Sequence, residues 1–413
     1  MLLPTVAEST STTEIVSMFW ILLAVALAPL VSRLTRGVVP EVVLLLAFGV
    51  LIGPSLFDIA SAEGGVALIS ELGLGMLFLL AGYEIEPELL VSKTGRSAMV
   101  TWLLCATLGL AFALIALPTT ELTAAIAIAI ALSSTALGTL LPIVKDRGLI
   151  GTALGRAVLV HGASGELLPV VAMALLLSTR NVAASVALLL LYAVAAVLVA
   201  TAQRHTLRRL PGLDLILRER SHGTGQVVLR GVMLLLIGLM ALAAVFSLDV
   251  VLGAFAAGMI LRFLDKEFDF DNQLEGKLEA LAYGFLVPVF FVVSGMGIAL
   301  DAVSNAPEQL LYVVILIALV RGVPVWLVER FTDTGSGLHT RSDRAQLALF
   351  AATGLPIIVA VTQVAVTTDL MSDANASLLV AGGATTVLIF PLITHLIQRG
   401  SHTSSPVRRQ DSA

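Results

Sequence analysis

Charge is what this 413-residue sequence has least of: only 13% of its residues are Asp, Glu, Lys or Arg. A soluble domain carries about 25%, and the mean hydropathy of +0.99 points the same way. A water-soluble globular class is excluded, and helices running through lipid are implied. A single cysteine, Cys105, lies within an apolar run, so no disulfide framework is possible and the thiol reads as a small buried hydrophobe. Aromatics make up 6%. No basic stretch precedes the first apolar run, where Glu8 and Glu14 stand instead. That argues for a retained first span rather than a cleaved signal peptide.

What the chain has is apolar runs. A crossing needs about 20 apolar residues, and candidates fall near 13–32, 39–57, 65–87, 97–117, 122–144, 151–177, 183–202, 227–246, 249–264, 278–300, 308–329, 344–367 and 375–397. The fold class is therefore an all-α polytopic membrane protein of about thirteen spans. With the N-terminus outside, the inner loops collect Arg33, Lys93, Lys145, Arg147, Arg208, Lys266, Arg341 and Arg399, while the outer ones carry Asp58, Glu121, Asp301, Glu308 and Asp369. This is the positive-inside pattern, with Arg180 the clear exception. An inner (plasma) membrane with the C-terminus in the cytoplasm is expected. Residues 1–12 form an extracytoplasmic segment, 13–397 the membrane part, and 398–413 a short cytoplasmic tail with no appended nucleotide-binding domain. The basic 203–226 stretch divides the halves as a cytosolic connector.

Two spans are interrupted. Ser133-Ser134-Thr135-Ala136-Leu137-Gly138 sits in the middle of 122–144, and Thr353-Gly354-Leu355-Pro356 in the middle of 344–367. Proline removes a helix donor and clashes with the preceding turn. Gly138, Gly354 and Pro356 are thus the expected break points. Matched interruptions flanked by long spans suggest three-helix groups repeated in inverted order, with a binding site where they meet. Broken backbone at this depth is tolerated only beside a cavity or buried in protein.

Glu166 is stranded in the 151–177 run, and Arg321 in the 308–329 run. A charge at the bilayer centre costs roughly 2.5 kcal/mol or more, so each is a candidate functional group and each is the other's candidate ion-pair partner. A carboxylate in low dielectric holds a proton or a small cation, not both. Ser133, Ser134, Thr135 and Ser164 would complete an oxygen shell around an alkali cation. His161, five residues before Glu166, is a candidate pH-sensing neighbour. Glu84 and Glu86 read as interfacial anchors at an inner helix end, or as part of an inner funnel, and Lys145-Asp146-Arg147 as a solvated turn.

Several stretches in order resemble the monovalent cation:proton antiporter superfamily, in particular its Kef-type branch. They are Pro40-Glu41-Val42 through Gly53-Pro54-Ser55-Leu56, Phe78 through Gly82-Tyr83-Glu84-Ile85-Glu86-Pro87, Ala131-Leu132-Ser133-Ser134-Thr135-Ala136, Leu252 through Gly258, and Pro288 through Gly295. The resemblance runs over about 39–397 and implies two crossed discontinuous helices. It also implies core helices near 97–177 and 308–397, dimerisation or scaffold helices near 13–87 and 183–300, and a homodimer. The family's ion-binding helix carries two adjacent polar residues; here the pair is Gly165-Glu166, lacking the first and with Glu for Asp. Arg321 matches the family's basic position. The resemblance implies exchange of Na+ or K+ for H+ by alternating access, with no cofactor and no nucleic-acid partner. Two other classes fit fragments of the sequence. A sodium-coupled organic-solute symporter shares the architecture, and Gly162-Ala163-Ser164-Gly165 with His395 mimics an intramembrane serine protease.

Overall fold

The computed structural model describes residues 5–35, 39–116, 121–177, 226–246, 248–268 and 273–403, with isolated helical residues at 190, 191, 194, 197 and 201. Among these residues the secondary structure is helical, without strands. The helices are α1 (Thr5–Leu34), α2 (Glu41–Ile52), α3 (Gly65–Glu84), α4 (Pro87–Val91), α5 (Lys93–Ala116), α6 (Leu122–Ser133), α7 (Leu137–Asp146), α8 (Ala153–Leu176), α9 (Gln226–Val245), α10 (Val250–Phe268) and α11 (Gln273–Leu281). A π-helical turn (Ala282–Leu286) leads from α11 into α12 (Val287–Met296). Then come α13 (Leu300–Ser304), α14 (Pro307–Ile317), a second π-helical turn (Ala318–Gly322), α15 (Val323–Phe331), α16 (Arg341–Ala351), α17 (Leu355–Thr367) and α18 (Asp373–Thr403).

Ten helical segments in the described residues are long and apolar enough to cross a membrane. The protein is a multi-span membrane protein. The count of thirteen is not reached: the candidate at 183–202 and the connector at 203–226 lie almost wholly outside the described residues. α2 is a shorter apolar helix, and α10 carries Arg262, Asp265, Lys266 and Glu267 in its C-terminal third. Large side chains such as Leu22, Phe19, Leu103, Leu234, Leu311 and Leu396 stand exposed. That is costly in water and neutral in lipid.

Packing follows the close approach of small residues. α3 lies against α10, where a Cβ at Gly82 would stand 2.3 Å from the Phe255 carbonyl oxygen and one at Gly258 would stand 2.0 Å from that of Leu79. Only glycine lets these backbones meet. At the C-terminal ends of α3 and α10 Tyr83 donates to Asp265 (2.7 Å), Arg262 to Glu86 (3.1 Å) and Lys266 to Glu88 (2.8 Å). α1, α2, α3, α9, α10 and α12 pack in this way as one group of neighbours, while α5, α6, α8, α14, α16, α17 and α18 pack as another.

Both interrupted spans break. The alanine-rich α6 ends at Ser133 and α7 resumes at Leu137, leaving 134–136 extended. α16 ends at Ala351 and α17 resumes at Leu355. Two expected break points shift. Gly138 falls inside the first turn of α7, after the break, and Pro356 stands in the first turn of α17, where a missing N–H costs nothing. Gly354 lies in the break itself. The Lys145-Asp146-Arg147 turn is not merely solvated. Arg147 donates to Thr394 Oγ1 (2.7 Å) and to the Pro391 carbonyl (2.6 Å) and lies over the Phe350 ring, tying α7 to α16 and α18.

Candidate functional site at the helix crossing

The two breaks touch. Ala136 N–H donates to the Thr353 carbonyl at 2.7 Å, and Ser134 Oγ reaches the Gly354 carbonyl at 3.3 Å. Thr135 N–H donates to the Gly165 carbonyl at 2.8 Å, which binds α8 to the crossing one residue before Glu166. Freed amides are thus satisfied by the neighbouring strand of chain, as backbone at this depth must be. Among the described residues the carbonyls of Ser134 and Thr135 accept no hydrogen bond.

Glu166 is 2% exposed. Its Oε2 accepts from Leu137 N–H at 3.3 Å, the first amide of α7. The carboxylate therefore sits at a half-helix N-terminus, where the helix dipole favours negative charge. Among the described residues the other oxygen has no donor.

Arg321 is fully buried but is not the ion-pair partner of Glu166. Its Nε donates to Thr135 Oγ1 (3.0 Å), Nη2 to the His161 carbonyl (3.1 Å) and Nη1 to Cys105 Sγ (3.7 Å). None of the ion pairs among the described residues joins it to Glu166. The reason is local. Thr135 passes its own proton to the Ala351 carbonyl at the end of α16, so the guanidinium lies where two half-helices, α6 and α16, present their C-terminal, negative ends. Acid and base each found a helix end instead of each other. Arg321 itself stands on the π-helical turn at 318–322, a local register change of the kind that recurs at functional positions.

The missing polar residue before Glu166 has a steric explanation. A Cβ at Gly165 would stand 2.5 Å from Thr135 Oγ1 and 2.6 Å from Arg321 Nη2. The guanidinium occupies the room a side chain there would need.

The four hydroxyls expected as ligands do not converge on Glu166. Ser133 Oγ bonds the Ile130 carbonyl (3.3 Å), Ser134 Oγ that of Ala131 (2.8 Å), and Thr135 is held between Arg321 and Ala351. Ser164 Oγ turns back into its own helix, to the carbonyls of Val160 (3.0 Å) and His161 (3.2 Å). That back-bonding takes Ser164 out of the ligand set. Among the described residues no hydrogen bond joins Ser164 to His395, the base that the protease reading named.

Three features were not singled out from sequence. Glu329, on α15, is 4% exposed and pairs with His161. It stands beside Arg330 near the end of an apolar run, where a charge is not anomalous. Tyr283 stands on the π-helical turn before α12, with its hydroxyl 3.6 Å from where a Cβ at Gly138 would be. The third is a cavity of about 220 Å³ between the two groups of helices, lined by Ser70, Ser294, Thr362, Gln363, Asp373 and Ser377. Thr362 lies on α17 eight residues beyond Gly354, about 12 Å further along the helix at 1.5 Å per residue. Glu84 sorts apart from its neighbour. Glu86 is paired to Arg262, whereas Glu84 keeps one buried oxygen without a partner.

A buried carboxylate at the crossing of two broken helices, in a polytopic bundle, defines a membrane protein of the crossed discontinuous-helix type. The chain belongs to the sodium/hydrogen exchanger family, transmembrane part, whose sequence model matches residues 21–399. Among solved structures, the sodium proton antiporter MjNhaP1 of Methanocaldococcus jannaschii at pH 8 superposes with a TM-score of 0.63 over 93% of this chain and 97% of that one, at 18% identity. The chain is 26% identical over 396 residues to a glutathione-regulated potassium-efflux system protein of Haemophilus influenzae, covering 93% of this chain and 60% of that protein. It is likewise 26% identical over 318 residues to the potassium-efflux protein KefC of Escherichia coli O139:H28, covering 74% and 48%. The chain thus spans about half to three-fifths of the length of these relatives.

Proposed function

We propose that this protein exchanges a monovalent alkali cation, Na+ or K+, for protons, with Glu166 as the one carboxylate that each occupies in turn. The observation that carries the reading is the placement of Glu166. It is buried at the first amide of a half-helix, with one oxygen uncommitted and no cationic side chain beside it. Such a group needs a positive species and accepts only one at a time. The free carbonyls of Ser134 and Thr135 supply hard oxygen donors of the kind an alkali cation takes, and Thr135 and Arg321 hold that break in place. Arg321 keeps its proton throughout, and Gly165 has none to give. One proton per cation follows, which makes the exchange electroneutral.

The cavity at Thr362 and Asp373 fits the outer approach, and relative movement of the two groups of helices fits alternating access. A homodimer built on the α1–α3 and α9–α12 group is the assembly we propose, in the cell's inner membrane with the N-terminus outside. Family membership, the fold of MjNhaP1 and the named potassium-efflux relatives all support exchange over solute symport.

The test is a pH-dye assay in everted vesicles, adding sodium, potassium or lithium chloride in turn. Wild type is expected to release protons and Glu166→Gln to lose at least about a hundredfold of the rate, as removal of the only exchangeable group demands. Equal signals from both proteins would remove Glu166 from the mechanism. Sodium-driven solute uptake without pH change would replace exchange by symport.

A further inference from the structure

The transport core holds a second acid and base that the exchange at Glu166 does not use. His161 Nε2 lies 3.6 Å from Glu329 Oε1, and both side chains are 1% exposed. This separation is beyond hydrogen-bond reach, and the atoms on either side of the gap are empty-handed. Neither nitrogen of His161 nor Glu329 Oε1 has a hydrogen-bond partner among the described residues. Three orphaned polar atoms in one buried place call for an explanation. Packing alone does not provide one, because the far side of Glu329 is well satisfied. Its Oε2 accepts from Ser336 Oγ (2.6 Å) and Thr334 Oγ1 (2.9 Å), both in the inner loop after α15.

An added proton would engage the two of these atoms that face each other, His161 Nε2 and Glu329 Oε1. An imidazolium facing a carboxylate makes a charge-assisted hydrogen bond, which is shorter than the present gap. The arrangement seen is open, and a proton on the imidazole favours a closed one by making the contact charge-assisted. The charged groups facing it are few. Among the described residues Arg321, eight residues before Glu329, faces the pair through its bond to the His161 carbonyl. α5 contributes Cys105, which touches Arg321, and α16 contributes the buried but uncharged Gln346.

We propose that His161 and Glu329 form a second proton-binding site in the core, separate from Glu166, whose proton is not carried but sets the hold of Arg321 on the crossing. The connection is continuous. The inner loop grips Glu329, Glu329 faces His161, the His161 carbonyl receives Arg321 Nη2, and Arg321 Nε holds Thr135 in the break. A proton on the pair draws His161 toward α15 and adds a positive charge near the guanidinium, and like charges repel. His161 and Glu329 are thus positioning residues, acting on Glu166 through Arg321 and Thr135.

Two coupled protons make a steeper pH dependence than one. We expect the rate of exchange in wild-type proteoliposomes to follow pH more steeply than a single titrating group allows. His161→Gln and Glu329→Gln should each reduce it to the one-group slope, move the midpoint by about one pH unit, within the range imidazole environments produce, and leave the apparent KM for the cation at the plateau within about twofold. The double variant should behave like either single one, because each change removes the same site. Single-variant profiles that superpose on wild type in slope and midpoint overturn the proposal, as do shifts that simply add in the double variant. Should the glutamine variants fail to fold, the pair is read without transport. pH-difference infrared spectra of Glu166→Gln protein should keep a titrating carboxylate band that Glu329→Asp displaces, and absence of that band also overturns it. This inference rests on the exchange reading only for the transport readout. Loss of exchange in wild type would fail that reading and leave the infrared result standing.

Discussion

Two pockets at the crossing, one around Glu166 and one around Arg321, solve the same problem with opposite means. Each holds a charge in a place where charge is expensive. At Glu166 the protein supplies one backbone amide at a helix N-terminus and leaves the second oxygen without a donor. At Arg321 it supplies three acceptors, a hydroxyl, a carbonyl and a thiol, close to helix C-termini. The acid is under-coordinated, whereas each nitrogen of the base has an acceptor. A site that must exchange its occupant needs the first arrangement, and one that must keep its shape needs the second.

The sharpest way to break this comparison is to crowd the two pockets together. Gly165 separates them, and a Cβ there meets Arg321 Nη2 and Thr135 at 2.5–2.7 Å. Gly165→Ala is expected to destabilise the protein by about 1–3 kcal/mol, as overpacking does, and to slow exchange severely by displacing the guanidinium. Gly165→Asn, which would restore the family's adjacent polar pair, should be worse rather than better. Thermal unfolding in detergent together with the vesicle assay decides it, and a fully active Asn variant would show that the crowding is relieved at no cost.

Next in size is the independence of the two charges. If they were a buried pair, breaking it at one side would cost about 3–5 kcal/mol and removing both would recover most of that. The structure predicts otherwise. Arg321→Met should remove the guanidinium's bonds to Thr135 and the His161 carbonyl and cost about 1.5–3 kcal/mol for those charged hydrogen bonds. Adding Glu166→Gln should leave that loss unrepaired, with a coupling below about 1 kcal/mol in a double-mutant cycle of unfolding energies. A larger coupling reinstates the ion pair.

These two cases also mark what could be read from residues alone. The stranded Glu166 and Arg321 were legible because a charge in an apolar run is anomalous on any reading, and the Ser-Ser-Thr and Thr-Gly-Leu-Pro interruptions because each puts poor helix formers in a helical run. The membrane class followed from composition. Which groups pair with which was not legible. Glu166 and Arg321 are obvious partners by charge, yet helix dipoles, which no residue type announces, made them separate. Glu329 was hidden for the complementary reason. It stands beside Arg330 near a helix end, where charge is ordinary, and only the fold turns its side chain inward to His161. The four hydroxyls were misjudged in direction: Ser133, Ser134 and Ser164 turn to carbonyls three or four residues back along their own chain, and Thr135 to that of Ala351.

The smallest effect concerns the same inner loop seen from its wet side. Lys93 and Asp333 make a contact of 2.5 Å, with side chains 60% and 83% exposed, three residues from the Ser336 that grips buried Glu329. The Lys93 ammonium, with the Gly335 amide, holds the Asp333 carboxyl below the usual carboxylate range. A carboxyl lowered by folding contributes only above its unfolded value, near 3.9, and its contribution fades as pH falls through the lower folded value. At pH 5 to 8 the pair is therefore fully formed, yet exposed pairs of this kind contribute little and are screened by salt. Asp333→Asn should leave the unfolding temperature unchanged from pH 5 to 8 and leave the pH profile of exchange in place. Ser336→Ala, which loosens Glu329 from the buried side, should shift that profile measurably. If the two changes trade outcomes, the loop acts on the core through its surface charge rather than through the buried carboxylate.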